Sequence, residues 1–469
     1  MPIVAMKLRN WSGAKGAQEG GFVTNKPTTT QPLTVSEGAK QTGDIHDRWP
    51  WVEVAVWTER MLTALETGIK GGKWFSLIDK VYALPNLHAA WTRVKANAGA
   101  AGVDRQTIEI FEQHLAANLA DLSSGLRDGS YRPAAVRRVL IPKLGSREMR
   151  PLGIPTVRDR IVQTALRNVL EPIFERTVAA QSYGFRPQRG AKDALRRVDE
   201  LLDAGAVWIV DADLKSYFDT IPHQQLRARV EEQIADGRVL ELLDAFLEQD
   251  VLGELNQPVA VTPETGTPQG AVVSPLLANI YLNPLDHSMA AQGREMVRYA
   301  DDFVILCRTE AEAKEALREV EQRTQAAGLT LHPTKTRIVN AAQDGFDFLG
   351  YHFERGKHWP RKKSLQKLKE TIRVETRRNN GQSLARTIER VNRTLRGWYE
   401  YFKHSNRWTF KPLDSWIRMR LRSILRRRAG KRGRGRGSDH HRWRNAYFDA
   451  LGLFNLEAAH ARDCQSLQR

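Results

Sequence analysis

Arg298-Tyr299-Ala300-Asp301-Asp302-Phe303-Val304-Ile305-Leu306 sets two adjacent carboxylates between two apolar runs. Met296, Val297 and Tyr299 on one side, and Phe303, Val304, Ile305 and Leu306 on the other, are β-branched, aromatic or large aliphatic residues that suit a buried sheet. The stretch reads as a hairpin with the acids at its turn. An isolated Asp-Asp turn is ordinarily just solvated. Held side by side at a sheet end, however, two carboxylates repel each other and lose hydration, which is costly unless a cation neutralises them. Hard carboxylate oxygens favour Mg2+ in that role.

A second stretch supplies the context. Val207-Trp208-Ile209-Val210-Asp211-Ala212-Asp213 also runs from strand formers into acids, and Leu214-Lys215-Ser216-Tyr217-Phe218-Asp219 follows it. A period of two puts Val207, Ile209, Asp211 and Asp213 on one face and Trp208, Val210 and Ala212 on the other. Periodicity therefore does not choose between Asp211 and Asp213. One carboxylate at the end of this strand, facing two in a neighbouring hairpin, can hold two Mg2+ ions for in-line attack of a hydroxyl on a phosphoryl group. That chemistry is nucleotidyl transfer. Between the acid stretches, Thr265-Gly266-Thr267-Pro268-Gln269-Gly270 has an irregular backbone. Its glycines permit close approach to a ligand, and Gln269 offers both a donor and an acceptor.

In this order the motifs resemble those of reverse transcriptases, and within them the bacterial group II intron reverse transcriptase/maturases. Tyr299-Ala300-Asp301-Asp302 resembles the family's YADD box, Asp213 to Asp219 its first palm acid motif, and Pro268-Gln269-Gly270 its Pro-Gln-Gly motif. The resemblance selects Asp213, with Asp301 and Asp302, as the catalytic residues and ligands of two Mg2+ ions. It also implies that the Phe218 ring excludes a ribose 2′-hydroxyl. Residues 131 to 155 alternate bases, strand formers and prolines, which excludes helix and suggests a hairpin. Taken alone this is a solvated basic hairpin. The family's fingers motif carries the same lysine and arginine, implying that Lys143 and Arg150 contact the dNTP triphosphate, while Gln269 contacts a nucleotide or a template base. Ser182-Tyr183-Gly184-Phe185-Arg186-Pro187 and Leu329 to Thr336 resemble further blocks, with Arg186 and Lys335 as nucleic-acid contacts. Phe346 to Tyr351 resembles the primer-grip strand pair, with Gly350 at a tight approach.

Composition agrees with a polyanion partner. The 469 residues carry a formal net charge of +18, a footprint of nucleic-acid binding. No apolar run approaches eighteen residues, so the reading is no membrane. Two cysteines, Cys307 and Cys464, make neither a disulfide framework nor a zinc pair and fit a reducing cytosol. Ile388, Val391, Leu395, Trp398 and Phe402, then Leu413, Trp416, Ile417, Leu421 and Ile424, recur at helical spacing among arginines. The run Arg426-Arg427-Arg428 ends the second series; its arginines either contact phosphate or cap the helix. Arg396-Gly397-Trp398-Tyr399-Glu400-Tyr401-Phe402 resembles the signature of the family's maturase domain. Asp439-His440-His441 lacks the cysteine partners of a zinc nuclease, and the chain reads as the endonuclease-lacking class.

The expected fold is an α/β right-hand polymerase, with fingers and a ferredoxin-like palm, followed by an all-α thumb/maturase domain and a short basic tail. The expected divisions are a disordered leader (1–48), N-terminal extension and fingers (49–205), palm (206–360), helical thumb/maturase domain (361–429) and basic linker with nucleic-acid-binding tail (430–469). The resemblance implies an RNA-directed DNA polymerase that assists splicing and retrohoming of a group II intron. Its partners are the intron RNA, an RNA template with DNA primer, target DNA and dNTPs, in a bacterial cytoplasm and at the nucleoid during mobility. Two alternatives are a domesticated reverse transcriptase of repair or defence and a non-polymerising RNA-binding splicing factor; the three intact acids argue against the latter.

Overall fold

Eleven strands and a larger set of helices form in the computed structural model, which describes residues 44–142, 149–253, 258–260, 265–379, 381–435 and 437–466. Lys143 and most of the expected leader lie outside the described residues. In chain order the strands are β1 (Val136–Pro142), β2 (Met149–Ile154), β3 (Trp208–Asp213), β4 (Val251–Leu252), β5 (Pro258–Ala260) and β6 (Glu295–Tyr299). They continue with β7 (Asp302–Cys307), β8 (Arg337–Asn340), β9 (Phe346–Phe348), β10 (Tyr351–Glu354) and β11 (Lys357–Pro360).

The palm sheet has the order β6-β7-β3-β8, antiparallel throughout. Strand alternation sorts its side chains as the sequence reading required. Val210 and Ala212 of β3, with Phe303, Ile305 and Cys307 of β7, join a core shared with the N-terminal and fingers helices and with helix Ser274–Ala291. Ile209, Val304, Leu306 and Val339 join a second core on the other face, with helix Ala191–Asp203 and the β9–β10 hairpin. The acids Asp211, Asp213 and Asp302 share the parity of this second face. The palm therefore has apolar side chains on both faces and brings its acids to one end.

The fingers sheet has the order β2-β1-β4-β5, with Ile141 opposite Arg150 in the β1–β2 pair. Sheet β11-β10-β9 forms the hairpin region, where Leu349 and Gly350 both have positive φ (45° and 87°). Two such residues make a tight turn whose twist matches its strands.

The helical patterns resolve into helix Leu384–Phe402 and helix Phe410–Arg428. Ile388, Val391, Leu395, Leu413, Ile417, Leu421 and Ile424 form the thumb core, and each fully buried aliphatic contributes about 1.5–3 kcal/mol. The last segment departs from expectation. Residues 430–469 were expected as a separate linker and tail, yet Phe448, Leu453, Leu456 and Ala459 pack into that same core. Asp414 accepts the backbone N–H groups of Leu456 and Glu457, capping helix Leu456–Ser466 from the thumb. Beyond the Gly/Arg run, the packing comes from Phe448 on one short helix, Leu456 and Ala459 on the next, and Leu453 between them.

Candidate active site

The β6–β7 hairpin turns at Tyr299-Ala300-Asp301-Asp302, with Ala300 in the left-handed region at φ 60°. Asp213, the last residue of β3, lies opposite Asp302 in the register, so the strand-end acids meet across one pair. Asp211 lies one pleat further back, opposite Val304, and its carboxylate pairs with Arg337 at 3.2 Å.

Crowding of these acids shows in their ionisation. Burial, and next the charges of Asp211, Asp301 and Asp213, push the Asp302 carboxyl up to about 7, against the opposing charge of Arg361. Asp301 is also raised, chiefly by burial and by Asp213, while Lys335 and Arg150 pull it down. The site thus carries more negative charge than its surroundings neutralise, and Lys335 Nζ forms an ion pair with Asp213. Hard oxygen donors, unfavourable ionisation and a lysine ammonium on one carboxylate together fit a divalent cation. Among the described residues no group of three Asp, Glu, His or Cys side chains is arranged to hold a metal ion. Substrate oxygens and water would have to complete any coordination shell begun by Asp213, Asp301 and Asp302.

Three other expected residues, Arg150, Phe218 and Gln269, lie on flanking elements. Arg150 is exposed on β2, close enough for its charge to act on Asp301. Phe218 is half-buried on the short helix after Asp213, against Tyr217 (5.5 Å between centroids) and Phe185 (6.5 Å), which in turn contacts Tyr299 (6.3 Å). The Pro-Gln-Gly loop is tied to the fingers, since Gly153 N donates to Gln269 O at 2.6 Å. A Cβ on Gly270 would sit 2.2 Å from Gly153 O. The Gln269 amide nitrogen donates to both oxygens of Asp219 (2.9 and 3.0 Å), which leaves the amide oxygen without a hydrogen bond among the described residues.

A family model described as "Reverse transcriptase (RNA-dependent DNA polymerase)" matches residues 141–353, and one described as "Group II intron, maturase-specific domain" matches residues 365–444. The chain belongs to the group II intron reverse transcriptase/maturases. Protein YkfC of Escherichia coli is 34% identical over 330 residues, covering 62% of this chain and 84% of the relative. The group II intron-encoded protein LtrA of Lactococcus lactis is 38% identical over 215 residues, covering 45% of this chain and 35% of its own length. An uncharacterized 91 kDa protein in the cob intron of Schizosaccharomyces pombe is 29% identical over 335 residues, covering 57% and 40%.

Three expectations for this reverse transcriptase/maturase change in the structure. Arg186 does not face a template: its side chain is 6% exposed, paired with Glu175 at 2.6 Å and donating to the Ala179 and Ser182 carbonyls. Its fork is consumed holding the 179–186 segment together. Lys335 reaches the active site itself, because His332 N donates to Asp213 O at 2.7 Å and draws the Leu329 to Thr336 segment alongside. The three arginines at the thumb end are not equivalent. Arg426 pairs with buried Asp439 at 2.6 Å and donates to Arg432 O, and Arg428 donates to Gln382 O. Arg427 alone of the three has an exposed side chain that makes no hydrogen bond or ion pair among the described residues. Arg418 and Arg422 in the same helix are buried, so part of that arginine series is internal.

Sequence reasoning passed over Arg298, Asp286, Asp219 and Arg361. Arg298 had a visible signal, being a lone cation inside an apolar strand. Arg361 had none, because its place beside Asp302 depends on where β11 ends.

Proposed function

We propose that this chain is an RNA-directed DNA polymerase using a two-metal-ion mechanism, and that it binds and assists the splicing of a group II intron RNA. The observation that carries the reading is the meeting of Asp213 with Asp301 and Asp302 at one sheet end, under the charges of Arg150 and Lys335. Asp213, Asp301 and Asp302 would hold two Mg2+ ions, which when bound supply Lewis acidity at the attacking and leaving oxygens.

The protein's own residues do the rest. Arg150 neutralises triphosphate charge, a role the sequence motif also assigns to Lys143. Gln269, oriented by Asp219, presents its amide oxygen to the incoming nucleotide. Phe218 fills the space a ribose 2′-hydroxyl would need. The primer 3′-oxygen bonds to the α-phosphorus, the bond to the β-phosphate oxygen breaks, and pyrophosphate leaves. The hydroxyl proton goes to solvent, and Lys335, released from Asp213, neutralises charge on the departing group. Arg427 and other exposed thumb cations contact RNA phosphates, while the Arg186 side chain positions its own segment. Target DNA enters during retrohoming, in the bacterial cytoplasm at the nucleoid; among the described residues no helix is long and apolar enough to cross a membrane.

Two assays test this reading. Purified protein with Mg2+, dNTPs and a DNA primer annealed to an RNA template is expected to synthesise cDNA, and to accelerate splicing of an intron folded from the DNA flanking its reading frame. cDNA without any effect on splicing refutes the maturase half, and splicing assistance without cDNA refutes the polymerase half.

A further inference from the structure

The Tyr299–Asp302 turn rests on a second layer of side chains on the sheet face away from the acids. Arg298 belongs to β6 but emerges on the face opposite the acids, toward helix Ser274–Ala291. Its guanidinium is completely buried, as is Asp286, to which it donates from Nε at 2.7 Å and also from Nη2. The remaining nitrogen, Nη1, donates to the Ala300 carbonyl at 2.8 Å and to Asn279 Oδ1 at 3.0 Å. One buried cation therefore grips the carbonyl immediately before Asp301.

Asn279 extends the grip to a second segment. Its amide nitrogen donates to Gly184 O at 2.8 Å. Gly184 lies so close to the turn that a Cβ there would stand 2.3 Å from Ala300 N and 2.9 Å from Tyr299 C. Tyr183 N donates to Arg298 O at 2.8 Å and Arg298 N to Gln181 O at 2.9 Å, so this segment runs beside β6 like an added strand. Arg186 anchors the far end through Glu175, Ala179 and Ser182.

What the clamp holds is an unfavourable conformation. Alanine at φ 60° is strained by about 1–2 kcal/mol, and such strain persists only where the surroundings over-determine it. Ala300 sets the direction in which the chain enters Asp301 and Asp302. Relaxing it would swing the two carboxylates relative to Asp213, which is carried on a different strand.

We propose that Gly184 and Asn279, acting with Arg298, are positioning residues that hold the left-handed Ala300 turn so that Asp301 and Asp302 keep their metal-binding spacing. The proposal rests on the reading of those acids as metal ligands. The test uses the full chain and Mn2+ as the probe, titrated by electron paramagnetic resonance without dNTP, beside primed-template affinity and steady-state extension.

Wild-type protein is expected to bind Mn2+ in a manner Asp301→Asn abolishes. Gly184→Ala is expected to weaken Mn2+ binding at least tenfold, lower kcat and leave dNTP KM and primed-template affinity within about twofold. Asn279→Ala, which removes two hydrogen bonds without filling space, is expected to do the same more mildly and carries the test if Gly184→Ala does not fold. Unchanged Mn2+ affinity in a folded variant overturns the positioning role alone. So does a loss of Mn2+ affinity that always accompanies an equal loss of template affinity. Absence of Asp301-dependent Mn2+ binding in the wild type overturns the metal reading and this proposal with it.

Discussion

Replacing Asp302 with asparagine removes a charge the fold resists. The carboxyl lies at about 7 against an ordinary value of 3.8. A gap of about 3 pKa units at about 1.36 kcal/mol each is about 4 kcal/mol, which we halve, to about 2 kcal/mol, for a side chain still partly open to water. The sign follows from proton binding. A carboxyl whose folded pKa exceeds its unfolded one binds protons more tightly in the native state, so stability falls as pH rises from 3.8 toward 7. The penalty is absent below the lower value and complete above the upper one. Asp302→Asn therefore raises the melting temperature by a few degrees in EDTA at pH 8, and by roughly half as much at pH 5.5. Differential scanning fluorimetry reads this directly, with primer extension run in parallel to show that synthesis is lost. A variant that melts at or below wild type in EDTA at pH 8 refutes the account of crowded carboxylates.

Further outcomes follow from the same site. Arg361 is the cation opposing the rise of Asp302, and its Nε is buried without a hydrogen-bond partner among the described residues. Arg361→Gln should lift the Asp302 pKa further and move the acid limb of the pH–rate profile to higher pH; an unmoved limb contradicts the coupling. Phe218→Ala should admit ribonucleotides, read as the ratio of kcat/KM for dNTP over NTP, and an unchanged ratio removes the sugar-gate role. Arg427→Ala should flatten the log-log salt dependence of RNA binding by about 0.7–0.9. Arg426→Ala should instead lower the thermal stability of the thumb by releasing Asp439; equal salt slopes for Arg427→Ala and wild type refute the division.

The palm was legible because a strand period of two and an acid pair in an apolar run are local signals. They placed the hairpin turn and put Asp211 and Asp213 on one face, as the register confirms. Choosing Asp213 over Asp211 needed family resemblance, because only the strand's end decides which acid faces the turn. The thumb helices were legible for the same reason, through apolar spacing of three and four. What misled was charge read without partners. Arg186 and Arg426 look like phosphate ligands in a basic chain, but Glu175 lies eleven residues from one and Asp439 thirteen from the other. A sequence does not reveal that such acids fold back. The clamp under Ala300 was hidden similarly, since Arg298, Asn279 and Gly184 come from three separate segments.

The proposed roles of Asp213, Asp301 and Asp302 make the metal-dependent polymerase centre separable from RNA binding. Asp301→Asn keeps the side-chain shape and removes one negative charge from a protein of formal net charge +18, so attraction for phosphate does not fall. Extension of a DNA primer on an RNA template, measured beside equilibrium affinity for that primed template at one salt concentration, is the direct measurement. Asp301→Asn is expected to lose cDNA synthesis while its template affinity stays within about twofold of wild type; undiminished synthesis, or affinity lost in step with synthesis, would rule that separation out.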